Sequence, residues 1–339
     1  MYESHFGLRQ RPFRPIADSE FYYPATSYER ALAQLLDAVE AEEGLALLVG
    51  DPGTGKTTIG QCLLDRLQEN VSSVFLVNCH FRDRTALLQA ILYDLSLPFE
   101  GKSEQELRLA LTELALKNYE ARRRTVLIVD EAQELTPDLL EELRLLGNLE
   151  GTQGKAIQVI LLALPAILET LQLAAVACFN QRLAVRVRLE CLGLHEGADY
   201  LVHRLRTAGG RPEDIISDEA LEVLVRATGG IPRLLNQAAH HALTLAQSAG
   251  ANLVDVEAAL EALAVLGLAE DGAGKDGEMN GAASEMSCEN DAIEPEAEPS
   301  TQPMLILEDD AKVDHGPHAN LLKDPGRSRR LFTPPRRPA

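Results

Sequence analysis

The chain has 339 residues, 45% hydrophobic and 25% charged, with no tryptophan, 4% aromatics and a net charge of −20. That length allows one large or two medium domains with proper cores. So acidic a surface repels nucleic acid and anionic membrane in bulk, so any DNA contact needs a local basic patch.

Residues 1–25 lack periodicity but hold Phe6, Phe13, Phe21, Tyr22 and Tyr23. Thr26 with Glu29 has the spacing of a capping box, and Leu32, Leu35, Leu36 and Val39 supply the apolar stripe of a helix. "GLALLVG" (44–50) is a continuous apolar run, the pattern of a strand buried on both faces of a parallel sheet. "SVFLVN" (73–78) reads as a strand and 84–95 as a helix. Ser103 and Glu106 form a second capping box, opening a helix to about Arg122. "TVLIVD" (125–130) is another buried strand, and Pro137 after Thr136 opens a helix to about Leu149. "AIQVILLA" (156–163) and "AVRVRL" (184–189) complete the strands. Strands alternating with helices predict an α/β fold with a parallel, doubly wound sheet.

After residue 190 only helical patterns remain, at about 195–208, 218–228, 232–248 and 255–266. From about 269 periodicity is lost: the last 70 residues carry 15 acids against 8 bases and end in a basic stretch, "RSRRLFTPPRRP". This composition predicts a disordered tail.

The chemistry concentrates in a few motifs. Gly50, Asp51, Pro52, Gly53, Thr54, Gly55, Lys56 and Thr57 match GxxxxGK[ST], after a predicted strand and before a predicted helix, with Thr58 following. Small residues let backbone N–H groups turn towards phosphate oxygens, and the helix N-terminus adds partial positive charge. Lys56 suits the β- and γ-phosphates, and the Thr57 hydroxyl suits Mg²⁺. Asp130 ends a buried strand, where it can complete the Mg²⁺ shell, and Glu131 beside it can polarise an attacking water. Arg233 in "GGIPRLLN" opens a helix from which it can swing over a γ-phosphate. Arg182 in "NQRLAVRVRL" precedes the last strand, placed to reach a neighbouring subunit's nucleotide. His240 and His241 read as half-exposed packing residues in mid-helix.

The scattered cysteines, Cys62, Cys79, Cys178, Cys191 and Cys288, show no CxxC pair. They fit reduced thiols in a cytoplasm rather than disulfides or a metal cluster. No stretch approaches 18 apolar residues, so no membrane span or signal peptide is expected.

Taken in order, "HFGLRQRPF", "GDPGTGKTT", "VDEAQEL", "LEELRLLGNLEG", "NQRLAVRV" and "GGIPRLLN" resemble the AAA+ ATPase module of the general secretion pathway protein A (ExeA-like) family, over about residues 2–266. The resemblance implies a P-loop NTPase αβα sheet with a C-terminal helical lid, ATP and Mg²⁺ as ligands, ATP hydrolysis, and ring-like or dimeric assembly. It assigns Walker A to Gly50–Thr57, Walker B to Asp130 and Glu131, the finger to Arg182 and sensor 2 to Arg233. Two departures stand out. The family's Gly-Gln-Pro after the fourth strand is here Ala163-Leu164-Pro165, so the Leu164 side chain cannot hydrogen-bond as a γ-phosphate sensor. Where secretion members continue into a transmembrane helix and a peptidoglycan-binding domain, this sequence continues into the acidic tail, so an envelope role is not carried over as an expectation.

The expected division is an N-terminal segment near the nucleotide site (1–25), an ATPase domain (26–190), a helical lid (191–268) and a tail (269–339). The expected function is a cytoplasmic, homo-oligomeric ATPase whose cycle drives conformational or assembly change in a protein partner, in a secretion- or pilus-related setting. The alternative is a low-turnover, nucleotide-dependent scaffold, or an ATPase resembling regulators of DNA transposition. DNA is not the favoured partner, and the basic end of the tail is where it would touch.

Overall fold

Short runs of Leu, Ile and Val, too apolar to face water on either side, form the centre of a parallel sheet. Its strands are β1 (Leu45–Gly50), β2 (Val71–Leu76), β3 (Arg124–Val129), β4 (Ile157–Ala163) and β5 (Val185–Leu189), in the order β2-β3-β4-β1-β5. The computed structural model describes residues 2–15, 19–67, 71–152 and 154–268, which fall within one compact unit. The predicted acidic tail lies outside the described residues.

Central strands β1 and β4 are buried along their whole length, with Leu48 paired to Leu162 on one side and Val187 on the other. The edge strand β2 starts and ends two residues earlier than the sequence pattern predicts and is only partly buried. Beyond its end Val77 is 60% exposed. An edge strand has one open flank, so its apolar pattern is weaker and its limits less marked.

The helices are α1 (Tyr2–His5), α2 (Thr26–Glu40), α3 (Lys56–Arg66), α4 (Arg84–Asp94), α5 (Glu104–Glu120), α6 (Pro137–Gly147), α7 (Ile167–Gln172), α8 (Ala177–Arg182), α9 (Leu194–Thr207), α10 (Asp218–Thr228), α11 (Pro232–Ser248) and α12 (Val256–Val265). The Ser103–Glu106 capping box closes as expected. The Thr26–Glu29 box does not. Ala25 is the N-cap of α2, and Glu29 instead accepts two bonds from Arg66 (2.7 and 2.9 Å) and one from the Tyr22 hydroxyl (2.8 Å). A bidentate guanidinium is a stronger partner than a backbone amide. The Thr26 N–H donates to Glu196 on α9 (2.9 Å) instead.

Alternation along the strands divides the core into two layers. Leu45, Leu47 and Val49 face α4 to α8, whereas Ala46 and Leu48 face α2 and α3. The second layer continues without interruption through the N-terminal aromatics into α9 to α12. Each fully buried leucine there contributes about 1.5–3 kcal/mol by leaving water, which fixes the C-terminal helices over the carboxyl end of β1.

Candidate functional site

Strand β1 delivers the chain to Gly50, and the next five residues reverse it into α3. The turn is possible because Gly53 and Gly55 hold φ of +82° and +97°, a region L side chains avoid. Thr54 is buried and braces the loop, its hydroxyl donating to the Asp51 carbonyl at 2.9 Å. From α2, the Tyr28 hydroxyl donates to the Thr54 carbonyl at 2.6 Å. In the sequence Tyr28 reads only as a helix residue, and nothing in the local pattern links it to the loop.

Lys56 is 6% exposed, and its Nζ donates to the carbonyls of Gly50 (2.8 Å) and Asp51 (3.0 Å). Burial pulls its pKa down, against the pull upward from the carboxylates of Glu131, Asp130 and Asp51. An anion arriving in the loop would restore the charge partner that burial removes.

Across the strand ends, the Thr57 hydroxyl donates to Asp130 Oδ2 at 2.6 Å. Asp130 is 2% exposed; burial raises its pKa, while that hydroxyl and the Glu131 N–H (2.9 Å) pull it back down. A hydroxyl and a carboxylate in contact beside a phosphate loop are the donor set that Mg²⁺ uses when phosphate oxygens and water complete its shell. The residues therefore fit the ion. Glu131 follows in a left-handed conformation, φ 52° and ψ 39°. Its carboxylate accepts from Gln133 Nε2 at 2.6 Å, and Gln133 Oε1 accepts the Leu164 N–H at 3.0 Å. The Leu164 side chain has no polar group, but its backbone does hydrogen-bond here.

These residues line a cleft of about 780 Å³ that includes Pro52, Gly53, Gly55, Lys56, Thr57, Thr58, Glu131, Leu164 and Arg233. Gly50, Asp51, Thr54 and Asp130 do not themselves line it. Arg233 opens α11 close to the loop, and its N–H donates to the Gly53 carbonyl at 3.2 Å. Part of the lining is aromatic, with Phe13, Phe21, Tyr22, Tyr23, Tyr28 and Tyr200. The N-terminal segment that supplies most of it is strapped to the C-terminal helices. Arg204 Nε donates to the Pro12 carbonyl at 2.8 Å, with its guanidinium 4.9 Å from the Phe21 ring centre, and Arg11 contacts His240 at 2.7 Å.

His240 and His241 are half-buried, as expected of packing residues, yet both also line the cleft. Gln133, Tyr28, Arg11 and Arg204 escaped the sequence reading; only the aromatic-rich start pointed towards this wall.

Arg182 is not brought to the cleft. It ends α8, exposed, before the first residue of β5, whereas the phosphate loop follows the last residue of β1. Because β1 and β5 run parallel with Ala46 opposite Val185 and Gly50 opposite Leu189, Arg182 lies at the other end of the strands. Its charge assists Lys155 in holding the Glu150 carboxyl below the usual range.

A family profile described as an AAA domain matches residues 39–171. The general secretion pathway protein A of Aeromonas hydrophila is 34% identical over 281 residues, covering 82% of this chain and 51% of that protein. The chain thus spans about half the length of this curated relative. Among solved structures, Cdc6p from Pyrobaculum aerophilum superposes with a TM-score of 0.59 at 22% identity, over 74% of this chain and 71% of that one. The Aeropyrum pernix ORC2 protein does so with a TM-score of 0.57 at 16% identity, over 72% and 71%. At such identities these two likenesses speak for the fold alone. The chain carries an AAA+ ATPase module of the general secretion pathway protein A family.

Proposed function

We propose that this chain binds and hydrolyses ATP, and that the cycle drives a conformational or assembly change in a protein partner. The observation that carries the reading is the 2.6 Å contact of Thr57 with Asp130, beside buried Lys56 and with Glu131 on the same cleft. The phosphates lie in the Gly53–Thr57 turn, where Lys56 exchanges its two carbonyl partners for β- and γ-oxygens. The aromatic wall accepts the base. Mg²⁺, held through Thr57 and Asp130, would neutralise charge on the phosphates.

Glu131 orients a water and takes its proton as the water oxygen bonds to the γ-phosphorus. The bond from that phosphorus to the bridging oxygen breaks, and ADP leaves with the electron pair. Arg233, whose backbone is tied to Gly53, carries the nucleotide state into α11. Arg182, remote from its own cleft, serves the cleft of a second copy, so the working form is a homo-oligomer. We place it in the cytoplasm; among the described residues no helix is long and apolar enough to cross a membrane.

Leu164 favours a second reading. An apolar side chain in the cleft offers the γ-phosphate no hydrogen bond, as suits a low-turnover scaffold that changes partners, DNA included, with nucleotide state.

The test is ATP binding and turnover, with and without DNA, for the native chain, Lys56→Ala and Glu131→Gln. Lys56→Ala should weaken binding at least about tenfold, or about 1.4 kcal/mol. Glu131→Gln should still bind ATP but lose roughly 10²–10⁴ in rate, the usual worth of a general base. Unchanged binding and turnover in Lys56→Ala would refute the site. A native rate already as low as that of Glu131→Gln would favour the scaffold.

A further inference from the structure

Gln133 touches two things that hydrolysis must coordinate. It lies in the 3-10 turn Ala132–Glu134 after β3, half-buried. One end of its amide meets the Glu131 carboxylate and the other meets the backbone at the end of β4. The amide orientation is forced by its neighbours. Turned over, its oxygen would face a carboxylate oxygen and its NH₂ would face the Leu164 N–H, and both contacts would repel. The carboxamide is therefore a fixed strut. It joins a carboxylate on a left-handed residue to a strand end whose own side chain is apolar.

A carboxylate that activates water must present one oxygen along one direction, and a misplacement of about 1 Å can cost about 10²-fold in rate. Glu131 has three side-chain torsions and only partial burial, so packing alone does not select that direction. A donor held at Oε2 does. We propose that Gln133 is a positioning residue for hydrolysis: it holds Oε2 of Glu131 so that Oε1 meets the attacking water, and locks that rotamer to the end of β4. The inference rests on the reading of Glu131 as the base.

Three variants of the full chain test it. Gln133→Met keeps the volume and removes both hydrogen bonds. Gln133→Glu keeps an acceptor for the Leu164 N–H but loses the donor to Glu131. Both should lower kcat about tenfold or more, with KM and the affinity for a non-hydrolysable ATP analogue within about twofold, since orientation and not binding is lost. Melting temperatures of the variants are measured alongside, so that a change in kcat is read only on folded protein. The third variant, Glu131→Gln combined with Gln133→Met, should be no slower than Glu131→Gln alone, because a strut without its base has nothing to position.

An unchanged or raised kcat in Gln133→Met overturns the proposal, as does the same fold loss in the Glu131→Gln background. Loss of ATP affinity with unchanged kcat overturns it in favour of a structural role in the loop. A native chain without turnover overturns both this inference and the hydrolase reading. Normal turnover that Glu131→Gln abolishes and Gln133→Met does not overturns this inference alone.

Discussion

Replacing Gly53 with alanine should loosen the seat of α11 on the phosphate loop. At φ +82°, an L side chain costs about 1–2 kcal/mol. The new Cβ would stand 2.8 Å from Arg233 Cβ and 3.1 Å from Ile231 Cγ2. Neither atom is the far end of a flexible side chain, so the two segments must move apart. Overpacking of this kind costs a further ~1–3 kcal/mol, giving roughly 2–5 kcal/mol in all. Gly101 is the matching control: it has φ +70° and nothing within 4 Å of an added Cβ, so its alanine variant should bear only the ~1–2 kcal/mol backbone term. At about 2–4 °C per kcal/mol for a unit of this size, Gly53→Ala should melt roughly 4–20 °C lower, against roughly 2–8 °C for the control. Circular dichroism melts measure that difference. Because the displacement also stretches the bond from the Arg233 N–H to the Gly53 carbonyl, affinity for a fluorescent ATP analogue should fall about tenfold, or 1.4 kcal/mol. Equal melting shifts for the two variants, with unchanged nucleotide affinity, would refute the idea that α11 rests rigidly on the loop.

An arginine supplied in trans can be worth roughly 10³–10⁵ in rate, so specific activity should rise with protein concentration. Mixing Arg182→Ala with Lys56→Ala chains should then restore turnover that neither shows alone; a mixture as inactive as its components would return Arg182 to an ordinary surface charge. Acid should destabilise the N-terminal strap. His203 and His240 have lowered pKa values, mainly through burial and then, for His240, the nearby Arg11 and His241. Both are held neutral, and the stability they contribute is present above the unfolded value of about 6.5 and lost as the pH falls through their lowered values. The melting temperature should drop between pH 7 and 5, and His240→Gln should flatten that dependence; an equal slope in the variant would show that other groups carry it. Cys62 and Cys79, pushed up to about 11 and about 12 by burial, should resist alkylation of the native chain at pH 8, while exposed Cys178 reacts. Peptide mapping that finds Cys79 modified first would contradict that burial.

Much of the sheet was legible because β1, β3 and β4 are buried on both faces and so spell continuous apolar runs. Edge strand β2 was legible only to within two residues, since its open flank relaxes the pattern. Helices α7 and α8, six residues each, lack any side-chain cap and left no periodic signature. The Thr26–Glu29 box shows a different limit: a local motif is a bid for a partner, and Arg66, far along the chain, offered Glu29 stronger bonds.

The site divides along the same line. Gly50–Thr57 could be read directly because loop, strand and helix are consecutive, and Asp130 and Glu131 because a strand end announces itself by polarity. What could not be read is whatever depends on distance in the chain, such as Arg11 meeting His240 across 229 positions, or Gln133 meeting the backbone of Leu164. The charge of the cleft belongs here too. In a chain of net charge −20, the described residues that line the cleft include Arg11, Arg14, Lys56, Arg204 and Arg233 against one carboxylate, Glu131. These cations come from the N-terminal segment, the phosphate loop and α9, each with as many acids as Lys and Arg together, and from α11, which carries only Arg233. A concave, partly desolvated wall concentrates their field on a compact polyanion that enters it. The net charge of the chain therefore says nothing of the local charge of this cleft.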